Sequence, residues 1–182
     1  MLVRQYEEPF SDSSALPTYL ISKLTREHVT VALNGDGGDE NFAGYSRYSA
    51  FQASLWSEYI GYLTLLIIPF TSLFSRIFRT TFFERLDRFT RSLNQRYSQR
   101  YMMYTAYFTT SQKDTLYTET FKKKNALSNT NDLIAAHFHK SGSLNRTEQA
   151  VYADLMTYLP DDLLVKVDIA SMAVSLEGRS PF

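Results

Sequence analysis

Cysteine is absent from the 182 residues, which excludes disulfides and zinc thiolate centres but says little about compartment. Net charge is absent as well. Nineteen Lys and Arg balance nineteen Asp and Glu, so the chain lacks the basic footprint of a general nucleic-acid binder. No signal-peptide pattern opens it, because Arg4, Glu7 and Glu8 fall where an apolar core is required; the cytoplasm is the default assignment. A membrane-spanning run is also missing. Residues 59–75 carry no charge, but they fall short of the roughly twenty apolar residues a span needs and are interrupted by Gly61 and Pro69. What is present is a length suited to one domain and 44% hydrophobic content, enough for a sizeable core.

The most informative stretch is V-A-L-N-G-D-G-G-D-E-N-F-A-G-Y, residues 31–45. It reads as a buried strand, a glycine-rich acidic loop and then a helix. Gly35, Gly37 and Gly38 can take backbone conformations closed to other residues, and the helix start offers N–H groups to phosphate oxygens. Asp36, Asp39 and Glu40 would repel a bare phosphate, so the site makes sense with a hard cation, Mg2+, between carboxylate and phosphate. The plainer alternative is a tight turn whose acids favour the start of the next helix.

Two further segments bear on the choice: Y-L-P-D-D-L-L-V-K-V-D-I-A-S-M-A-V-S-L-E-G-R-S-P-F at 158–182, and Y-E-E-P-F-S-D-S-S-A-L-P-T at 6–18. With the acidic loop they resemble, in order, the synthetase domain of glutamine-hydrolysing asparagine synthetases. That resemblance implies an α/β fold, part of an adenine-nucleotide alpha hydrolase-like parallel sheet flanked by helices and helix-rich in this chain. It implies a ligase that uses ATP and Mg2+ to adenylate aspartate, with glutamine-derived ammonia delivered from a glutaminase domain of the same full-length chain. Asn34, Gly35, Gly37 and Gly38 would lie at the nucleotide, Asp36 would be catalytic and Asp39 a Mg2+ ligand. Glu40, Lys166, Asp168, Ser171, Glu177 and Arg179 would support the site. Asn34 stands where serine is commoner, and Asp36 where the family often has the longer glutamate.

Against the family pattern, 1–182 is expected to be an internal fragment. The serine-glycine-glycine pyrophosphate loop, the Cys-initiated glutaminase domain and the C-terminal region are not among these residues. Other readings are an amidotransferase acting on another carboxylate, in a surface polysaccharide or secondary metabolite, and an inactive homologue that binds nucleotide or a partner. Nucleic acid is not an expected partner, membrane association is disfavoured, and a homodimer is left open.

Periodicity supplies the rest. Ser13 or Ser14 caps a helix with Pro17 in its first turn and Leu16, Leu20 and Leu24 on one face. Residues 29–33 form a strand suited to a sheet covered on both faces. Residues 42–56 are helical, with Phe42, Tyr45, Tyr48 and Phe51 as a core set. Asn145 and Glu148 form a capping box for a helix that Pro160 stops, and Asp161 or Asp162 caps the next. In that last helix Lys166 and Asp168 share a face that reaches a cleft, and a buried Glu177 and Arg179 pair holds the helix end onto the sheet. His137 and His139 are surface residues. Residues 59–75 pack against the core or a partner, and the basic run Arg76, Arg79, Arg85, Arg88, Arg91, Arg96 and Arg100 is a solvated or salt-bridged helix face, with membrane-surface contact the second choice.

Overall fold

The computed structural model describes residues 2–56, 63–78, 80–125 and 130–181. In chain order these form α1 (Leu2–Gln5), α2 (Ala15–Arg26), β1 (Val31–Leu33), α3 (Gly38–Phe42), α4 (Ser46–Leu55), α5 (Leu63–Phe78) and α6 (Thr81–Ser92). There follow α7 (Tyr97–Thr105), α8 (Thr110–Leu116), α9 (Glu119–Lys124), α10 (Thr130–Lys140), α11 (Arg146–Met156), a π-helical turn (Leu159–Leu164), α12 (Val165–Met172) and β2 (Glu177–Arg179). The result is a helix-rich α/β structure with one small parallel sheet. Two units emerge, Met1–Gly44 with Ala153–Phe182, and Tyr45–Tyr152.

In the first unit β1 and β2 run parallel, with Val31 opposite Glu177, Ala32 opposite Gly178 and Leu33 opposite Arg179. The ladder extends at both ends, where the Glu177 N–H donates to the Thr30 carbonyl (3.0 Å) and the Asn34 N–H to the Arg179 carbonyl (2.9 Å). Helix α12 packs on α2. Apart from Lys166 on α12, the buried positions are small, Ala15 and Ser22 on α2 and Ala170 and Ser171 on α12. Leu16, Leu20 and Leu24 are therefore not the packed face of α2; all three are exposed. Nor is the sheet covered on both faces among the described residues, since Val31 and Leu33 are exposed.

Local chemistry explains other departures. The expected 42–56 helix breaks at Ala43, in the left-handed region at φ 54°, so Phe42 lies outside while Tyr48 and Phe51 are buried. Pro160 does not end its helix but sits in the π-helical turn. There the Asp161 N–H returns to the Thr157 carbonyl (2.9 Å), and the chain runs on into α12. Asp161 and Asp162 consequently cap nothing. Pro69 lies inside α5 without ending it; the 59–62 part of the apolar stretch falls outside the described residues. The capping box is as expected: Asn145 accepts from the Glu148 N–H and Glu148 from the Asn145 N–H, both at 3.0 Å.

The second unit is organised by aromatic rings on α4, α7 and α10. Tyr101 stacks on Tyr48 with centroids 6.2 Å apart and meets Phe51 edge-on at 5.4 Å, while Phe138 closes the group against Phe51 at 6.2 Å. His137, beside Phe138, is buried near the Tyr152 ring rather than at the surface, whereas His139 is exposed. Next to Tyr101, Arg100 is only 5% exposed. Its guanidinium donates to the carbonyls of Ser54 (2.8 Å), Leu93 (2.8 Å) and Gln95 (3.3 Å), in the last turn of α4 and just past α6, where intrahelical donors run out. It is not part of a solvated basic face.

Replacing Arg100 by Met should lower stability by about 3 kcal/mol, because charge-assisted bonds are lost and the carbonyls are left buried. Urea unfolding should show a lower midpoint at unchanged slope. Arg100→Lys should recover only part of it, since an ammonium cannot span the same fork of acceptors.

Candidate functional site

The acidic loop leaves β1 at Asn34 and is tied back to the other strand. The Ser180 hydroxyl donates to the Asp36 carbonyl (2.6 Å), and Gly38 N–H to the Gly35 carbonyl (3.1 Å). Gly37, at φ +86°, takes the left-handed turn that launches α3, a conformation L side chains rarely adopt. Its carbonyl accepts from the Asn41 side chain (2.7 Å). Among the described residues Gly37 is the one glycine at positive φ, so Gly35 and Gly38 do not use the freedom the sequence allows them. A side chain at Gly35 would meet nothing within 4 Å; open space adjoins the loop there. At Gly178, by contrast, a Cβ would come within 3.1 Å of the Asn34 amide nitrogen. The Asn34 Oδ1 is buried with no hydrogen-bond partner.

Lys166 on α12 is buried and its ammonium pairs with Asp12 at 2.8 Å. Asp12 also accepts from the Ser14 N–H (2.8 Å) and hydroxyl (2.7 Å), so the cap at the start of α2 is made by Asp12 rather than by a serine side chain. The Tyr6 hydroxyl donates to the Lys166 carbonyl (3.1 Å), and its ring stacks on Phe10 at 4.4 Å. The 6–14 segment is thus fastened to α12 through both side chain and main chain.

Charge runs through this group. Burial works against the Asp12 carboxylate, but hydrogen bonds from Lys166 and Ser14 outweigh it and hold its pKa below the ordinary value. Burial likewise disfavours the Lys166 ammonium, and Asp12, Tyr158 and Asp162 outweigh it and hold the pKa up. Asp36 goes the other way: burial raises its pKa, Glu40 adds to the rise and Lys166 opposes it. Burial and Asp12 raise Asp162 also, again opposed by Lys166. One ammonium therefore serves three carboxylates, directly for Asp12 and through space for Asp36 and Asp162. The arrangement leaves Asp36 a readier proton acceptor than a surface aspartate, with Lys166 limiting the rise.

The other expected site residues lie differently. Glu40 is buried at 1% exposure. Asp39 is exposed, folded back so that a Cβ at Gly44 would collide with its carboxylate. Asp168 is exposed while Lys166 is buried; residues two apart point about 200° apart around a helix, so the two do not share a cleft. Ser171 is buried and donates to the Asp168 carbonyl (3.2 Å) within the helix. Glu177 and Arg179 do pair, at 2.8 Å, but on an open strand with side chains 53% and 63% exposed. They hold no buried helix end. No three His, Cys, Asp or Glu side chains converge on a metal position among the described residues. Sequence reasoning passed over Asp12, Asp162 and Tyr6. The available signals were a carboxylate inside the 6–18 segment and the four-residue spacing of Asp162 and Lys166.

The family model described as asparagine synthase matches residues 1–182. The chain belongs to the asparagine synthase family. It is similar to asparagine synthetase [glutamine-hydrolyzing] 1 of Bacillus subtilis, with 27% identity over 182 residues, the whole of this chain and 27% of that protein. A putative asparagine synthetase [glutamine-hydrolyzing] of Mycobacterium tuberculosis is 24% identical over 190 aligned residues, covering this chain and 26% of its own length. A putative asparagine synthetase [glutamine-hydrolyzing] 2 of Methanocaldococcus jannaschii is 60% identical over 40 residues, 22% of this chain and 8% of that protein. The chain spans about a quarter of the first two relatives. No solved structure matches. Apart from Tyr45, all three segments that carry the family resemblance lie in the first unit, and the ammonium cluster draws on each of them.

Asp12→Asn should strand the Lys166 ammonium and lower stability by about 2 kcal/mol, less than for a fully buried pair because both groups keep some solvent. Asp12→Asn with Lys166→Met should cost less than the two single changes added together. The pair's pH signature has two edges. The Asp12 contribution is present above its ordinary pKa of 3.8 and fades as pH falls through its lowered folded value. That of Lys166 is present below 10.5 and fades as pH rises through its raised folded value. Asp36→Asn should instead stabilise at neutral pH, with the gain vanishing below 3.8, where Asp36 is protonated folded or unfolded. Urea titrations across pH check all three.

Proposed function

We propose that the complete protein is an ATP-dependent, Mg2+-requiring amide-forming ligase that converts aspartate to asparagine through a β-aspartyl-adenylate. Ammonia would come from glutamine at a glutaminase domain of the same chain, and the first unit would be part of an adenine-nucleotide alpha hydrolase-like sheet. The observation that carries this reading is the convergence of Asp12, Asp36 and Lys166, from three family-like segments far apart in sequence, on one charged cluster beside an open glycine loop.

Each residue has a task the geometry supports. Lys166, fixed by Asp12, opposes the rise that burial and Glu40 impose on the Asp36 pKa. Asp36, with its raised proton affinity, is suited to take a proton from attacking ammonium. The unpartnered Asn34 oxygen would be satisfied by a donor on bound nucleotide, relieving about 1–3 kcal/mol of desolvation. Asp39 offers an exposed carboxylate at the loop. A single carboxylate with no preformed cage fits Mg2+ that arrives with nucleotide phosphates and keeps several waters. When bound there, the metal offsets charge on the alpha-phosphate and on departing pyrophosphate.

Aspartate-dependent exchange of labelled pyrophosphate into ATP by the full-length protein is the test. Exchange should require Mg2+ and persist in Asp36→Asn, whereas ammonia-dependent asparagine formation by that variant should fall by about two orders of magnitude. Asp39→Asn should retain the fold and move half-saturation to higher Mg2+; unchanged Mg2+ dependence would remove Asp39 as a ligand. No exchange with aspartate, but exchange with another carboxylate, would replace the substrate. None with any carboxylate would sink the ligase reading.

A further inference from the structure

Helix α5 is folded with its polarity reversed. On its inner side Thr71 is 6% exposed and its hydroxyl meets that of Thr90 on α6 at 2.9 Å. Ser72 donates to Asp87 (2.7 Å) and accepts from Arg91 (2.8 Å). The outer side carries Leu66, Ile67, Phe70, Leu73 and Ile77, each between 46% and 66% exposed. Their spacing makes one continuous stripe along the helix. A helix in water buries such a stripe and turns its hydroxyls outward. Helices joined by Ser and Thr hydroxyls, with Leu, Ile and Phe facing away, have the arrangement of an apolar solvent. The hairpin does not depend on that stripe for its own closure, since Phe83 of α6 stacks on Phe74 and Phe78 at 5.8 and 5.2 Å.

Charge selects the occupant. From Leu63 to Arg96 the sequence holds six arginines and two carboxylates, a local excess of positive charge in a chain whose total is zero. One of those carboxylates, Asp87, is already paired with Arg91. Arg76, Arg85, Arg88 and Arg96 are exposed. A second copy of the hairpin would set arginine against arginine, and a neutral apolar partner would leave the arginines unanswered. Crossing a membrane is out of reach: sixteen residues of α5 rise about 24 Å against a hydrocarbon core of about 30 Å. No helix among the described residues is long and apolar enough to cross. We propose that the α5–α6 hairpin lies in the surface of an anionic lipid bilayer, with the α5 stripe among acyl chains and the arginines at the phosphates. Sequence alone favours a solvated basic face, because it does not reveal that the helix contact takes up the hydroxyls and the rings at one end and leaves the Leu66 to Ile77 stripe outside.

The test is flotation of the full-length protein with vesicles of phosphatidylcholine plus phosphatidylglycerol, and with phosphatidylcholine alone. The wild type should float with the anionic vesicles only, less so at high salt. Arg85→Gln with Arg88→Gln should lower the partition coefficient by about thirtyfold. Phe70→Ser with Ile77→Ser, at exposed positions, should abolish flotation with the thermal midpoint unchanged. The proposal is overturned if the wild type stays unbound to anionic vesicles or if the serine variant floats equally well. It is overturned also if light scattering shows a dimer that the serine variant dissociates while neither form floats.

Discussion

The parallel pairing of Ala32 with Gly178 is the constraint on which the first unit rests. It joins two segments separated by most of the chain and sets the exit of both strands at once: the acidic loop from β1, and Ser180, which fastens that loop through the Asp36 carbonyl. Gly178 is needed because the Asn34 side chain occupies the space a Cβ would take. A slip of one residue would put a full side chain in that place and turn the alternating faces of the strand over. Upstream of β2, the π-helical turn and α12 bring Lys166 to the same end of the sheet.

Opposed stability terms meet at that end. The Asp12 and Lys166 pair stabilises the folded state, each partner holding the other charged against the effect of burial. Asp36 and Asp162 do the reverse, since folding raises their pKa values. A partly buried carboxylate next to another, Glu40, is a poor way to build a stable loop and a good way to build a reactive one. The π-helical turn fits the same picture, because such turns concentrate where a helix has been adjusted to place particular side chains.

In the second unit polarity is distributed by a different logic. Tyr48, Phe51, Tyr101 and Phe138 form an ordinary aromatic core, and Arg100 completes it by satisfying carbonyls at the ends of two helices. The α5–α6 pair departs from the rule, with the Thr71 and Thr90 hydroxyls between the helices and Leu66, Ile67, Phe70, Leu73 and Ile77 outside. The two arrangements stand side by side in one unit, so composition averaged over the chain conceals both.

Short-range physics was legible in the sequence. The strand before the loop, a glycine turn within it, the Asn145 and Glu148 capping box and the helical character of 165–172 each depend on residues within a few positions of one another. The ordered motifs likewise sufficed to place the chain in its family. Tertiary structure decided which of those residues meet. It separated Lys166 from Asp168, chose Asp12 as the partner of Lys166 across more than a hundred and fifty residues, and packed α2 by alanine and serine rather than by leucine. It also carried the chain through Pro160 and turned the apolar face of α5 outward. Periodicity records that a helix has two faces, but which face is buried depends on the shape and chemistry of the neighbour, and that is a property of the folded chain.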